Sequence, residues 1–554
     1  MKQTTYIKLY EQSFKRNFDL PALTDYGSKE IFTYEALAKE IEKLHILFKE
    51  CNITSGDKIA VIGKNSSRWC IVHLATVTYG AIIVPILHEF NSSDVHHIIN
   101  HSDSRLLFTS TAIWENLNKD EIPAVKGVIS LSDFCLLHQK KNEKLDILIP
   151  QLDNKFAEKY PDGFSTKDIK YSDNSNDEIV VLNYTSGTTG FSKGVMITGD
   201  NLSGNMTFAQ DEIQLGRGKR MLSFLPLAHT YGAAFDFLYA LTEGTFLTLL
   251  GKTPAPKILV QAFDEVKPEL IISVPLILEK IYKRMIIPIL SKKPMAFALQ
   301  IPVINTRIYA QIRERLITAM GGKFRQVIIG GAPFSSEVED FLLKIKFPIS
   351  VGYGMTECAP LISFSLCENF VPHSCGKVLG CMQVRIDSED PYTIVGEIQV
   401  KGQNVMAGYY KNEAATKAAF TDDGWLRTGD LGTIDKDHNI FIRGRSKNMI
   451  LGPNGQNIYP EEIEAKLNNL PFVMESLLIE KNYRLIALVV PDYEAVSQAG
   501  ISQEDLPAIM NKNKDTLNKM VAAYEKIAEI RLHPNEFEKT PKKSIKRYLY
   551  NDLG

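Results

Sequence analysis

Residues 178–199 read EIVVLNYTSGTTGFSKGVMITG. An apolar, strand-like run leads into residues 184–194, where five Ser/Thr hydroxyls, three glycines and one lysine fall within eleven positions, and a second apolar run follows. Glycines let a backbone curl, and curled backbone N–H groups with hydroxyls and an ammonium present many donors to phosphate oxygens. Such a loop suits a triphosphate. The Walker pattern needs G-x-x-x-x-G-K-[ST], but here Lys193 follows Ser192 and precedes Gly194, so a P-loop NTPase is disfavoured. Read alone, the segment also fits a solvated Ser/Thr/Gly turn.

On the N-terminal side and beyond, β-rich runs at 58–62, 81–84, 178–183 and 325–329 alternate with helix-like stretches such as 33–50. That alternation predicts an α/β fold, with layered, largely parallel sheets in a large N-terminal lobe. From Gly396 onward the pattern changes to strands joined by short turns, with Asp437-His438-Asn439 as a hairpin tip, which predicts a small antiparallel β subdomain. A short charged segment, 444–448, then precedes a unit with a helix from Pro460, strands near Leu477 and Ile486, a helix near 511–526 and a strand at 527–532. Pro460 followed by Glu461 and Glu462 suits a helix N-terminus. The expected division is 1–443, a hinge at 444–448, and a mobile α+β domain at 449–554.

The 554 residues are too many for one ordinary core, and 44% apolar with 23% charged content is that of a globular protein. A formal net charge of -2 provides no global field to draw in nucleic acid. The seven cysteines lack paired C-x-x-C spacing, so thiols are expected rather than a zinc site. The first residues contain no secretory apolar core, and charges interrupt the greasiest stretches, 221–250 and 271–290, which together predict a cytoplasmic protein that does not span a membrane.

The loop at 184–194 resembles the signature of adenylate-forming enzymes, the superfamily of acyl-CoA synthetases, luciferases and peptide-synthetase adenylation domains. Four further segments resemble that superfamily's motifs in the same order. Residues 329–333 (IGGAP) resemble the adenine-contacting turn and 352–357 (GYGMTE) the nucleotide and metal motif, while 424–430 (GWLRTGD) resemble the ribose motif and 444–448 (GRSKN) the hinge. The resemblance implies ATP-dependent activation of a carboxylic acid as an acyl-adenylate, then transfer of the acyl group to a thiol, with ATP and CoA as substrates and Mg2+ as cofactor.

The chemistry explains why these residue types recur. A carboxylate attacking the α-phosphorus must overcome anionic repulsion and expel pyrophosphate, so donors on the leaving oxygens are needed. Thr185, Ser186, Gly187, Thr188, Thr189 and Lys193 are expected to supply them. Magnesium keeps much of its water, so Glu357 with Thr185 and phosphate oxygens suffices, with Thr356 on the α-phosphate. Gly331, Ala332, Tyr353, Gly354 and Met355 are expected around adenine, and Asp430, Arg445 and Lys447 around the ribose and hinge. The superfamily's adenylation lysine lies near the C-terminus in P-x-x-x-x-G-K-[IVL]-x-R. Here Ser544 takes the expected lysine position, leaving Lys543, slightly favoured, or Lys546.

LPLAHTYG at 225–232 resembles the mouth of the acyl pocket, with His229, Tyr231 and Gly232 at its wall and the apolar 231–242 stretch behind, although a buried core helix would look similar. Acetate-activating relatives place tryptophan where this chain has Gly354, so a deep pocket is expected. At ~0.8 kcal/mol per methylene, about ten extra methylenes favour a long chain by roughly 8 kcal/mol before ordering costs. The wording of 445–464 and of the C-terminus is most similar to bacterial long-chain fatty acid–CoA ligases. Gly199 departs from the histidine that many relatives carry. An aryl or carrier-protein ligase is the alternative within the class, and a nucleotide-binding scaffold that adenylates nothing is the alternative outside it. A fatty-acid substrate would suit peripheral membrane contact, yet no amphipathic helix stands out to carry one.

Overall fold

The computed structural model describes residues 5–185, 192–290, 293–451, 456–481, 484–540 and 544–551. It is a mixed α/β protein with a large N-terminal domain and a smaller C-terminal domain. The principal sheet has eight strands, ordered Gly408–Tyr409, Lys193–Thr198, Ile179–Thr185, Ile82–Ile86, Lys58–Ile62, Ser104–Thr109, Gly127–Ser130 and Leu136–Gln139. Its centre is parallel, as apolar runs joined by helices require, while both edges are antiparallel. Helix Tyr34–Glu50 shows how the sequence builds these layers. The Thr33 hydroxyl caps it by accepting from the Ala36 N–H at 3.1 Å, and Leu37, Ile41, Leu44 and Phe48 recur on one buried face.

A four-strand antiparallel sheet, Met382–Asp387, Gly396–Gly402, Leu426–Ile434 and Ile440–Arg445, follows the α/β layers. His438 sits at its hairpin tip with φ 65°, at the Asp437-His438-Asn439 turn. Gly444 and Arg445 are still strand residues, paired with Leu431 and Asp430, so the turn into the last domain is confined to Ser446–Asn448. Gly199, the unusual residue before the Asn-Leu pair, opens helix Gly199–Glu212 against Asn176, where an added Cβ would lie 3.2 Å from the amide oxygen.

The C-terminal sheet is buried on both faces. Along Val473–Lys481 and Arg484–Pro491, Leu478, Leu485, Ala487 and Val489 enter one hydrophobic cluster, and Leu477, Ile479, Ile486, Leu488 and Val490 enter another. The period-two alternation of a strand sorts one apolar run into two cores. Neither shares a residue with the N-terminal core. The break falls between Ile442, which packs on the first, and Ile450, which packs on the second.

Helix Ser67–Tyr79 buries His73 inside the N-terminal core, stacked on Trp69 at 5.4 Å and edge-on to Phe237 at 5.4 Å. Both ring nitrogens are buried without a hydrogen-bond partner, and burial pushes the imidazole pKa down to about 3. The unfolded chain, with an imidazole near 6.5, therefore binds more protons between those values, and stability present above pH 6.5 drains as the pH falls toward 3. Replacing His73 with Phe should make the loss of urea stability between pH 7 and pH 5 smaller than in the wild type by roughly 2 kcal/mol. Parallel curves for the two proteins would refute this.

Candidate functional site

The strands flanking the phosphate-loop sequence, Ile179–Thr185 and Lys193–Thr198, are antiparallel, with Thr185 opposite Lys193. The two ends of the loop are thereby held side by side. Ser186, Gly187, Thr188 and Thr189 lie outside the described residues. Lys193 is exposed, and its ammonium sits 4.9 Å above the ring of Tyr409, an edge-strand residue that pairs with Val195. The Tyr409 hydroxyl donates to Glu357 Oε1 at 2.9 Å, and burial and that carboxylate push its pKa far up, keeping it a donor. Lys193, Tyr409 and Glu357 thus form a linked row that the sequence did not reveal. Nothing in GYYKN distinguishes Tyr409 from Tyr410, whose hydroxyl turns instead to Asp103 at 3.2 Å.

A second row joins the nucleotide motif to the antiparallel sheet. Tyr353 donates to Asp430 Oδ2 at 2.7 Å, and Arg445 Nε lies 3.1 Å from Asp430 Oδ1, the two partners being opposite each other in register. Asp430 is only 5% exposed. Burial raises its carboxyl pKa, and the Arg445 guanidinium opposes that rise. Lys447, exposed beyond the strand, has its pKa lowered by partial desolvation and then by Arg445.

The mouth of the expected acyl pocket is tied to the adenine turn. The Tyr231 hydroxyl donates to the Ile328 carbonyl at 3.1 Å, and its ring fills the space at Gly330, where an added Cβ would be 3.1 Å from Tyr231 Cζ. Gly331 follows with φ 85°, a left-handed turn that glycine adopts without strain. Gly354 is fixed by backbone crowding: a Cβ there would lie 2.1 Å from the Pro360 carbonyl oxygen. A bulky side chain at this position would first meet the chain itself.

One cavity of about 3090 Å³ contains all of this. Every described residue nominated from the sequence lines it except Lys546: Thr185, Lys193, His229, Tyr231, Gly232, Gly331, Ala332, Tyr353, Gly354, Met355, Thr356, Glu357, Asp430, Arg445 and Lys447. Lys546 is absent from that lining, and its ammonium lies 3.5 Å from Glu538 within the small domain. Ser544 and Arg547 do reach the cavity, but the Arg547 guanidinium is engaged by Glu464. Lys543 lies outside the described residues. The stretch behind His229 divides between cavity and core. Gly232–Leu238 is a π-helical turn continuing into helix Tyr239–Glu243; Phe235 faces the cavity, while Phe237, Tyr239 and Leu241 belong to the core. Most of the apolar lining comes from elsewhere, from Phe208, Phe224, Leu259, Phe263, Leu316 and Met320. These residues sit in ordinary amphipathic patterns, so the sequence offered no signal to separate them from core.

The small domain closes over the cavity through polar contacts. Lys283 donates to the Asn468 carbonyl, Arg284 pairs with Glu494 at 2.7 Å, and Asn469 donates to the Ser335 hydroxyl at 2.7 Å. Glu461, beside the turn, accepts from Asn448 at 2.5 Å.

A family model described as AMP-binding enzyme matches residues 10–410. Among curated proteins, the chain is 27% identical to a long-chain-fatty-acid–CoA ligase of Mycobacterium bovis, covering 89% of this chain and 86% of that one. It is 26% identical to long-chain-fatty-acid–CoA ligase 6 of Mus musculus, over 84% and 70% of the two chains. Among solved structures, ATP-bound MatB from Rhodopseudomonas palustris aligns with a TM-score of 0.75 at 22% identity, covering 98% of this chain and 99% of that one.

Replacing Tyr353 with Phe should lower stability by about 1.5–3 kcal/mol, the usual range for a hydrogen bond to a charged group. Urea denaturation at neutral pH measures this, and an unshifted midpoint would show that the Tyr353–Asp430 bond carries no stability.

Proposed function

The chain belongs to the AMP-binding enzyme family, and on that premise we propose that it joins a long-chain fatty acid to CoA in two half-reactions. In the first, the fatty carboxylate attacks the α-phosphorus of ATP, forming acyl-AMP and releasing pyrophosphate. In the second, the CoA thiol attacks the acyl carbon, forming acyl-CoA and releasing AMP. The observation that carries this reading is the convergence of Lys193, Glu357, Asp430 and Arg445 on one cavity whose lining also includes Phe208, Phe224, Leu259, Phe263, Leu316 and Met320. The names of the relatives support the choice of acid and thiol.

Each residue's part follows from its placement. Lys193 and the hydroxyls of the loop neutralise the departing phosphates. Tyr353 and the Gly331 turn receive the adenine, and Asp430, oriented by Tyr353 and Arg445, accepts from the ribose hydroxyls. Among the described residues no cluster of three or more His, Cys, Asp or Glu could cage a metal. That suits magnesium, which Glu357 and Thr185 would hold together with phosphate oxygens and water, and which when bound would offset charge on the phosphates. Tyr409, bonded to Glu357, fixes that carboxylate's direction. Lys543 is assigned the positive charge for adenylation, a choice supported by the contact of Lys546 with Glu538. All seven cysteines are free thiols, which fits a reducing cytoplasmic setting.

The thiol must reach an acyl carbon that the adenylation groups surround, and rotation of the small domain about Ser446–Asn448 clears the path. The separate cores favour this, and so does the polarity of the contacts between domains. An exposed pair such as Arg284–Glu494 is worth no more than about 1 kcal/mol and releases readily.

Pyrophosphate exchange across a panel of acids, with CoA or carrier protein offered as acceptor, tests the assignment. Exchange should rise with aliphatic chain length and require CoA for thioester release; preference for benzoate or for carrier protein would select the alternative ligases. Lys543→Ala should cut exchange by roughly 10²-fold or more, the scale of removing a transition-state charge partner. Lys546→Ala should leave it near wild type, and the reverse result would exchange the two assignments. Glu357→Ala should shift the magnesium titration of exchange to higher concentration, and an unmoved titration would remove Glu357 from the metal site.

A further inference from the structure

We propose that His88, paired with Glu89, takes the proton from the CoA thiol as acyl transfer begins. The assignment rests on the two-step reading above, and it fills a role that none of the groups named there performs. A thiolate, not a thiol, is the nucleophile, and a free thiol with a pKa of about 8.5 is only a few per cent ionised at neutral pH. The second half-reaction therefore calls for a base inside the cavity.

The fold puts a histidine and a carboxylate there. Strand Ile82–Ile86 lies inside the eight-stranded sheet, parallel to Ile179–Thr185, with Ile83 opposite Val181. Carried forward, that register sets Leu87 level with Thr185, at the start of the phosphate-loop sequence. Here the chain leaves the sheet by a turn, closed by the Phe90 N–H donating to the Leu87 carbonyl at 3.1 Å. Leu87 and Phe90 are buried at the two ends of the turn, while its central residues, His88 and Glu89, line the cavity. The carboxyl ends of parallel strands are where open α/β sheets bind their ligands.

Glu89 Oε2 lies 3.2 Å from His88 Nδ1, and the two side chains are 28% and 29% exposed. A carboxylate at Nδ1 favours the tautomer protonated there, which makes Nε2 the basic nitrogen, and it stabilises the imidazolium that forms. His229 and His373 are the other histidines among the described lining residues, and neither is carried on this sheet. Lys64, just past the adjoining strand Lys58–Ile62, and Lys193 are the further charged side chains that this sheet gives the cavity. Both cations favour an anionic sulfur over a neutral one.

The step balances. The S–H proton passes to His88 Nε2 as the sulfur forms its bond to the acyl carbon. The C–O bond to AMP then breaks, its electron pair leaving on the phosphate, and the imidazolium returns its proton to solvent.

Single-turnover transfer from synthetic oleoyl-AMP to CoA, run beside pyrophosphate exchange with oleate, tests the assignment. His88→Asn and His88→Gln should each slow transfer at pH 7 by about 10²-fold, the lower end of what a positioned base contributes, and keep exchange within about twofold of wild type. Between pH 6 and pH 8 transfer by the variants should climb about tenfold per pH unit, as thiolate supply alone dictates, and that of the wild type less steeply. Glu89→Gln should slow transfer less than either and leave exchange unchanged, because it removes the partner and not the base. Wild-type transfer in both His88 variants, an equal loss of exchange, or a pH slope matching that of the wild type would overturn the proposal. Absence of exchange with any acid in the wild type would instead sink the ligase reading, and the proposal with it, so the two failures are told apart.

Discussion

A carboxylate taken out of water must be met by donors, and Asp430 meets two that come from different parts of the chain. Tyr353 follows the last strand of a parallel sheet, and Arg445 ends the last strand of an antiparallel one. Burial alone would drive the carboxyl toward its neutral form, and the guanidinium counters that. The pairing does more than hold a charge. It locks the α/β layers to the antiparallel subdomain at the cavity, and it places the first residue of the interdomain turn immediately beyond the locked pair. The proposed nucleotide site and the turn between the domains therefore share one anchor.

The row formed by Lys193, Tyr409 and Glu357 plays a comparable part at the other end of the cavity. Tyr409 is carried on a two-residue edge strand, so its place depends on backbone pairing with Val195 rather than on any helix or core of its own. A phenol between an ammonium and a carboxylate spaces two opposite charges that would otherwise collapse into an ion pair. Both are left facing the cavity.

Much of this was legible in the sequence, because the informative signals were local. A helix-like run at 33–50 and turn residues at 437–439 express short-range chemistry, and the structure has a helix at Tyr34–Glu50 and a hairpin tip at His438. What was not legible depends on where elements meet. Tyr409 and Tyr410 are distinguished only by which side of a strand each occupies. The apolar lining is assembled from helices whose inward residues look like ordinary core. The stretch behind His229 was open to two readings, pocket or buried core, and most of it packs inward, since a π-helical turn rotates successive side chains differently from an α-helix.

The two-faced C-terminal sheet has a mechanical consequence. Each side of its strands is sealed by its own cluster, so the unit needs nothing from the larger domain to stay folded. The rotation proposed above would carry it as a stiff lever, so that a displacement of a few residues at the pivot is delivered undiminished to groups far from it.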